Sequence, residues 1–452
     1  MNTSFFGELL NSITEQGRTL LDTRLGRSGE VPLEDLCQAI LSGRGEASGV
    51  ALAGEVLSSY KQLDGPQKLA FFQALRDHFG ANLEVVRETV AALTQQPDDP
   101  LLLRRLHSAS EPRRQELIRR LNLAPGGTKA LVAMRSDLLD HLRTSPDLIE
   151  VDRDFEHLFS SWFNRGFLVM KRIDWQTPAN ILEKIIKYEA VHEIDGWEDL
   201  RRRIGLEDRR LYAFFHPALV DDLLIFVEVA LTREIPGAIA PILTEERAEI
   251  TAEVANTAVF YSISNCQKGL RGISFGNFLI KQVVEELRRE LPSLKTFVTL
   301  SPVPGFSRWL SGALKDEASP ASSLLTPEMA AHLQEQDWPQ DLDAAKQLEA
   351  VLPNLCAHYL TREKHRNTRP LDPVARFHIG NGARLERVNW QGDLSVNGLS
   401  QAHGLMVNYL YDLKYIERNH ESYAANGTVA VSSAVAKLAK AVPEAKQLTS
   451  AS

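Results

Sequence analysis

The segment 258–300 reads as strand, glycine-rich turn, helix and strand in that order, and such a unit has few ways to close. Ala258-Val259-Phe260-Tyr261-Ser262-Ile263-Ser264 is β-branched and aromatic, as strands are. The turn Gln267-Lys268-Gly269-Leu270-Arg271-Gly272-Ile273-Ser274-Phe275-Gly276 follows. From Phe275 to Leu291 the pattern predicts a helix: Phe275, Phe278, Leu279, Val283, Leu287 and Leu291 fall on one side, while Lys281, Glu285, Arg288 and Arg289 face water. Pro292 stops it. Thr296-Phe297-Val298-Thr299-Leu300 then stands where a parallel return strand belongs, and such crossovers are almost always right-handed.

The rest of the chain is organised around that unit. At 452 residues it is too long for one ordinary core, since domains average about 100–200 residues. Between Pro32 and Ser161 the spacing is helical, with Leu69, Phe72, Leu75, His78 and Phe79, then Leu117, Leu121 and Leu123, cut by turns at Gly65-Pro66, Gln96-Pro97, Pro125-Gly126-Gly127 and Ser145-Pro146. Beyond Trp162 the texture changes to strands at Gly166–Arg172, Arg210–Phe215 and Leu223–Val229, the last two suggesting an antiparallel pair. Phe377-His378-Ile379, Gly380-Asn381-Gly382 and Leu385–Trp390 predict a hairpin, and 401–417 and 431–448 predict helices. The reading is α+β: an all-helical domain over 1–161, then a mixed α/β domain over 162–452.

Composition excludes several classes. With 44% hydrophobic and 24% charged residues the chain reads as soluble and globular, and a net charge of -8 argues against a protein that works by neutralising nucleic-acid phosphates. Cys37, Cys266 and Cys356 lie far apart, so neither a disulfide framework nor a zinc site is expected. The most apolar stretch, 223–231, contains Glu228 and falls short of the ~20 residues that span a bilayer. No secretory signal or transit peptide stands at the start, and Thr449-Ser450-Ala451-Ser452 is not a peroxisomal signal, so a cytoplasmic location is expected.

A glycine-rich turn between strand and helix offers backbone amides and the positive helix end to a pyrophosphate, with Lys268 and Arg271 adding charge. The spacing is neither a dinucleotide fingerprint nor a P-loop, and a tightly packed structural turn explains it equally well. Ser301, just before Pro302, stands where open α/β sheets gather ligands, although most strand-ending serines are structural. His378 reads as a strand histidine with Phe377 and Ile379 on the opposite face; His358, His365, His403 and His420 are its rivals, and none forms a metal pattern. Tyr409 and Tyr411, two apart on the expected helix, cannot share a face.

Taken together, Tyr261-Ser262-Ile263-Ser264, the loop 267–276, Phe278-Leu279-Ile280-Lys281, Leu300-Ser301-Pro302-Val303-Pro304-Gly305-Phe306, Glu363-Lys364-His365-Arg366, Asn381-Gly382, Gly404-Leu405-Met406 and Asn408-Tyr409 resemble malonyl-CoA decarboxylase, in order, from about 160 to 423. The resemblance implies a helical domain used in subunit contacts, giving a homo-oligomer (dimer or tetramer), and a catalytic domain with the GNAT acetyltransferase fold. It also implies conversion of malonyl-CoA into acetyl-CoA and carbon dioxide without metal or organic cofactor, with no nucleic-acid or membrane partner. On this resemblance Arg271, Gly272, Ile273, Ser274, Phe275, Gly276 and Asn277 hold the CoA pyrophosphate, Ser301 and His378 are the catalytic pair, and Tyr411 is an active-site tyrosine. Ser274 departs from the glutamate that animal members tend to carry. An imidazole with an ordinary pKa near 6.5 suits protonation of the enolate left by decarboxylation. An acyl-CoA N-acyltransferase and a catalytically silent CoA-binding scaffold remain as alternatives. Asn389 and backbone amides compete with Ser301 for the malonyl carboxylate.

Overall fold

The computed structural model describes residues 31–42, 46–247, 249–273, 275, 279–335, 338–365 and 368–443. Two units divide the chain: one comprises 1–169, 215–224 and 267–275, the other 170–214, 225–266 and 276–452.

Helices make up the N-terminal part of the first unit, running Leu33–Leu41, Glu46–Gln62, Gly65–His78, Leu83–Gln95, Pro100–Ser110, Arg113–Leu121, Gly127–His141 and Ile149–Trp162. Their starts follow from local chemistry. Asp64 and Gln67 form a reciprocal capping box, Asn82 accepts from the Val85 N–H, and Asp99 accepts from Leu101 and Leu102. The predicted apolar spacing is buried at Phe72, Leu75, Phe79, Leu117 and Leu121, whereas Leu123 is 53% exposed. Arg114 is ion-paired to Asp154 inside this core.

The second unit is built on an eight-stranded sheet. Its strands are β1 (Val169–Ile173), β2 (Arg209–Phe215), β3 (Leu223–Thr232), β4 (Thr257–Asn265), β5 (Thr296–Thr299) and β6 (Ser301–Pro302), with β9 (Arg384–Asn389) and β10 (Met406–Leu410) after a small pair, β7 (Lys364–His365) and β8 (Arg369–Pro370). The order is β1-β2-β3-β4-β5-β10-β6, with β9 also on β10. β4 and β5 run parallel with Thr257 opposite Thr296, joined by the helix Leu279–Glu290, so the predicted crossover unit forms. Leu279, Ile280, Val283, Val284 and Leu287 are its buried face. Phe275, placed in this helix by sequence, lies outside it. β3 and β4 are antiparallel, with a register shift between Glu228 and Val229.

Four expectations change. The strand predicted over 166–172 starts later, at Val169, after a short 3-10 turn over Arg165–Phe167. The hairpin predicted at 377–390 is instead a helix, Pro373–Gly380, followed by β9. Asp372-Pro373 is a helix start, because the Asp372 carboxylate caps the Ala375 N–H and Pro373 needs no N–H there. The helix predicted over 401–417 breaks into the helix Val396–Ala402, strand β10 and the helix Ile416–Asn426. His403 (φ 47°) and Gly404 (φ 77°) are both left-handed, which ends the first helix, and the apolar run 406–410 is a strand buried on both faces, whose pattern has no period to distinguish it from a helix. The final helix spans Ser433–Lys440 and has ended by Ala441, while 444–448 of the predicted helix lie outside the described residues.

Candidate active site

Ser301 is fixed by its strand. It lies on β6, opposite Val407 of β10, and is 5% exposed. Two residues earlier on the same side, the fully buried Thr299 presents its Oγ1 2.8 Å from Ser301 Oγ, which donates to it. Thr299 is itself anchored: its Oγ1 accepts from the Tyr409 N–H at 3.1 Å and its carbonyl from Asn408 Nδ2 at 2.8 Å.

His378 sits in the last turn of the helix that Asp372 caps. Past that helix the chain turns at Gly382 (φ 81°), where a side chain would run into the Ile416 carbonyl. The imidazole is 3% exposed, with Nε2 3.3 Å from Ser301 Oγ and Nδ1 2.8 Å from Tyr411 Oη. Because Ser301 directs its proton to Thr299, its oxygen is left to accept from His378 Nε2–H, and Nδ1 then accepts from the Tyr411 hydroxyl. Tyr409 stacks on the ring, centroids 4.7 Å apart at 23°. Three side chains named from sequence, Ser301, His378 and Tyr411, thus form one buried chain.

Two details depart from expectation. Tyr409 and Tyr411 both reach His378, because they lie on and just past a strand, where residues two apart share a face. Burial also pushes the His378 imidazole down to about 3, so it is neutral at physiological pH rather than poised near 6.5. Burial likewise raises the Tyr411 hydroxyl well above its ordinary range. The array is a set of neutral, buried hydrogen-bonding groups.

Two of the rival histidines are engaged elsewhere: His358 faces Glu363 at 3.4 Å, and His420 Nδ1 lies 2.7 Å from the Gly380 carbonyl. Asn389 donates to Asn408 Oδ1 at 2.9 Å. Sequence reasoning does not single out Thr299, whose one available signal is its place two residues before Ser301; Tyr409, weighed against Tyr411, reaches the site as well.

In the other unit, the glycine loop begins as a short turn, Lys268–Leu270, that uses the N–H groups of Leu270, Arg271 and Ile273 internally. Lys268 is paired with Asp140, so its charge is already engaged. Arg271 and Gly272 are exposed, Gly272 with φ 84°, while Ile273 is buried and Phe275 half-buried. Ser274, Gly276 and Asn277 lie outside the described residues. Among the described residues no group of three His, Cys, Asp or Glu side chains is placed to hold a metal ion, and no helix is long and apolar enough to cross a membrane.

Comparison with known proteins supplies the context for this geometry. Residues 166–449 match the family described as malonyl-CoA decarboxylase C-terminal domain, and 79–163 match its N-terminal domain. The chain is 35% identical over 444 residues to a mitochondrial malonyl-CoA decarboxylase of Anser anser anser, covering 91% of this chain and 87% of that one. A crystal structure of malonyl-CoA decarboxylase from Rhodopseudomonas palustris superposes with a TM-score of 0.86 at 56% identity, covering 90% of this chain and 98% of that one. The structure from Agrobacterium vitis gives 0.84 at 57% identity, covering 90% and 99%.

Proposed function

We propose, from the premise that this chain belongs to the malonyl-CoA decarboxylase family, that its Ser301–His378–Tyr411 array cleaves the malonyl group by stabilising an enolate and then protonating it. The chain is a carboxy-lyase that converts malonyl-CoA into acetyl-CoA and carbon dioxide. When the carbon–carbon bond breaks, its electron pair moves into the thioester as an enolate and the carboxylate leaves as carbon dioxide. Carbon must then gain a proton, so each turnover consumes one from solvent.

When malonyl-CoA is bound, Ser301 turns its hydroxyl from Thr299 to the malonyl carboxylate and then to the enolate. One oriented donor of this kind typically accounts for about 3 kcal/mol of barrier. His378 gives up its Nε2 proton, directly or through Ser301, Nδ1 takes the Tyr411 proton, and the pair regains the lost proton from solvent once the product has left. A neutral imidazole suffices, because an enolate carbon is more basic than the imidazolate that the transfer would leave, and Tyr411 protonates Nδ1 as it forms. Neither a covalent intermediate nor a metal or organic cofactor enters these steps. The supporting observation is the contact of Ser301 Oγ with His378 Nε2 at 3.3 Å between two buried side chains.

In the same reading Arg271, Gly272, Ile273, Ser274, Phe275, Gly276 and Asn277 hold the CoA pyrophosphate. The exposed Arg271 cation and the left-handed Gly272 support it. In the same reading the segment 1–161 carries subunit contacts, and 162–452 the chemistry.

Carbon dioxide release from malonyl-CoA alone, with no amine acceptor, separates this activity from acyl transfer. His378→Asn is expected to lower kcat by roughly 10²–10⁴-fold while calorimetry still detects malonyl-CoA binding. Normal turnover in that variant, with binding intact, overturns the role of His378.

A further inference from the structure

The loop 267–273 is held by one buried side chain from another part of its own unit. Arg135, on the helix Gly127–His141, is 2% exposed. Its Nη1 donates to the Gly269 carbonyl at 2.9 Å and to the Arg271 carbonyl at 2.8 Å. Its Nε donates to Asp152 Oδ1 at 2.8 Å, and Nη2 lies 3.4 Å from Oδ2, so a carboxylate on the helix Ile149–Trp162 fixes the guanidinium plane. The loop also presses directly on the arginine's helix, because a side chain at Gly269 would run into the Val132 carbonyl.

We infer that Arg135 is a positioning residue for nucleotide recognition: by holding the carbonyls of Gly269 and Arg271 it fixes the loop backbone that presents the Arg271 side chain and the 271–272 peptide to a CoA pyrophosphate. A planar fork is needed, because one group must satisfy two carbonyls and a carboxylate together. The inference rests on the reading that residues 271–277 receive the pyrophosphate.

The test uses malonyl-CoA and malonyl-N-acetylcysteamine, a thioester that keeps the reacting group and lacks the nucleotide and its phosphates. Arg135→Lys keeps the charge beside Asp152 and loses the fork. Its KM for malonyl-CoA is expected to rise roughly tenfold with kcat near wild type, the pattern of lost uniform binding, while kcat/KM for the truncated thioester stays at the wild-type value. The double variant R135Q/D152N removes both buried charges together and is expected to show the same split. Gly272→Ala alters the loop itself, at a φ that strains any side chain, and should raise KM for malonyl-CoA alone. Equal losses on both substrates in the Arg135 variants overturn the inference, since a merely structural arginine would not discriminate between them. Unchanged KM in those variants, with the Gly272→Ala effect present, overturns it while leaving the pyrophosphate reading standing. No effect of Gly272→Ala on malonyl-CoA removes that reading, and the role of Arg135 with it.

Discussion

Thr299 gives the site its direction. Its Oγ1 takes the Ser301 proton and the Tyr409 N–H together, which leaves the serine oxygen facing His378. Thr299→Val keeps the branched shape and removes that acceptor, stranding two buried donors, each at a cost of about 1–3 kcal/mol. The expected result is a kcat lowered by roughly tenfold or more with KM little changed, restored by Thr299→Ser, as read from steady-state kinetics on malonyl-CoA. A threonine that only filled space would tolerate valine.

At the scale of elements, the site depends on a two-turn helix whose start is a single carboxylate. Asp372 is fully buried and accepts from the Ala375 N–H at 2.9 Å, six residues ahead of the imidazole that the helix carries. Burial raises its carboxyl above the usual range, although the amides it caps oppose that shift. Asp372→Ala is expected to cost about 1–2 kcal/mol of stability in urea titration, typical of a lost cap, and to lower kcat as His378 shifts. Asp372→Asn keeps the accepting oxygen and should retain most of both. β10 works in a similar way: Asn408 secures β5 through the Thr299 carbonyl, and Tyr409 packs against the imidazole.

For the whole molecule, buried titratable groups set how stability varies with pH. Burial lowers His378 to about 3 and His403 to about 4, and moves His192 and His216 the same way. Unfolding exposes these rings at the ordinary value of about 6.5, so their contribution is complete above pH 6.5 and is lost as pH falls toward 4 and 3. Glu228 has the opposite sign: burial raises it to about 8, so its contribution is complete below its unfolded value and is lost as pH rises through 8. The urea midpoint should therefore be highest near pH 6.5 and fall on both sides, each uncompensated proton contributing at most about 1.4 kcal/mol per pH unit. Glu228→Gln should flatten the alkaline side. His403→Asn, which suits the left-handed backbone there, should make the acid side shallower. A midpoint independent of pH between 5 and 8 would contradict both assignments.

Local chemistry alone determined the helical N-terminal part, the parallel crossover at 258–300 and the placing of Ser301 just past the parallel strand, which ends at Thr299. Each rests on a periodicity or a stop signal within one segment. The resemblance of ordered blocks named Ser301, His378 and Tyr411 together. Tertiary structure decided what those residues are. It put His378 on a capped helix, and it made Met406–Leu410 a strand buried on both faces, where the periodicity that tells strand from helix disappears. It also made the imidazole neutral, because a pKa depends on what surrounds the ring and the sequence reports only that the ring is present. The contacts of Thr299 with Ser301 and of Arg135 with the glycine loop divide along the same line: the first joins residues two apart in sequence, at the end of β5 and the start of β6, and is legible locally, while the second joins residues 134 apart and exists only once the chain has folded.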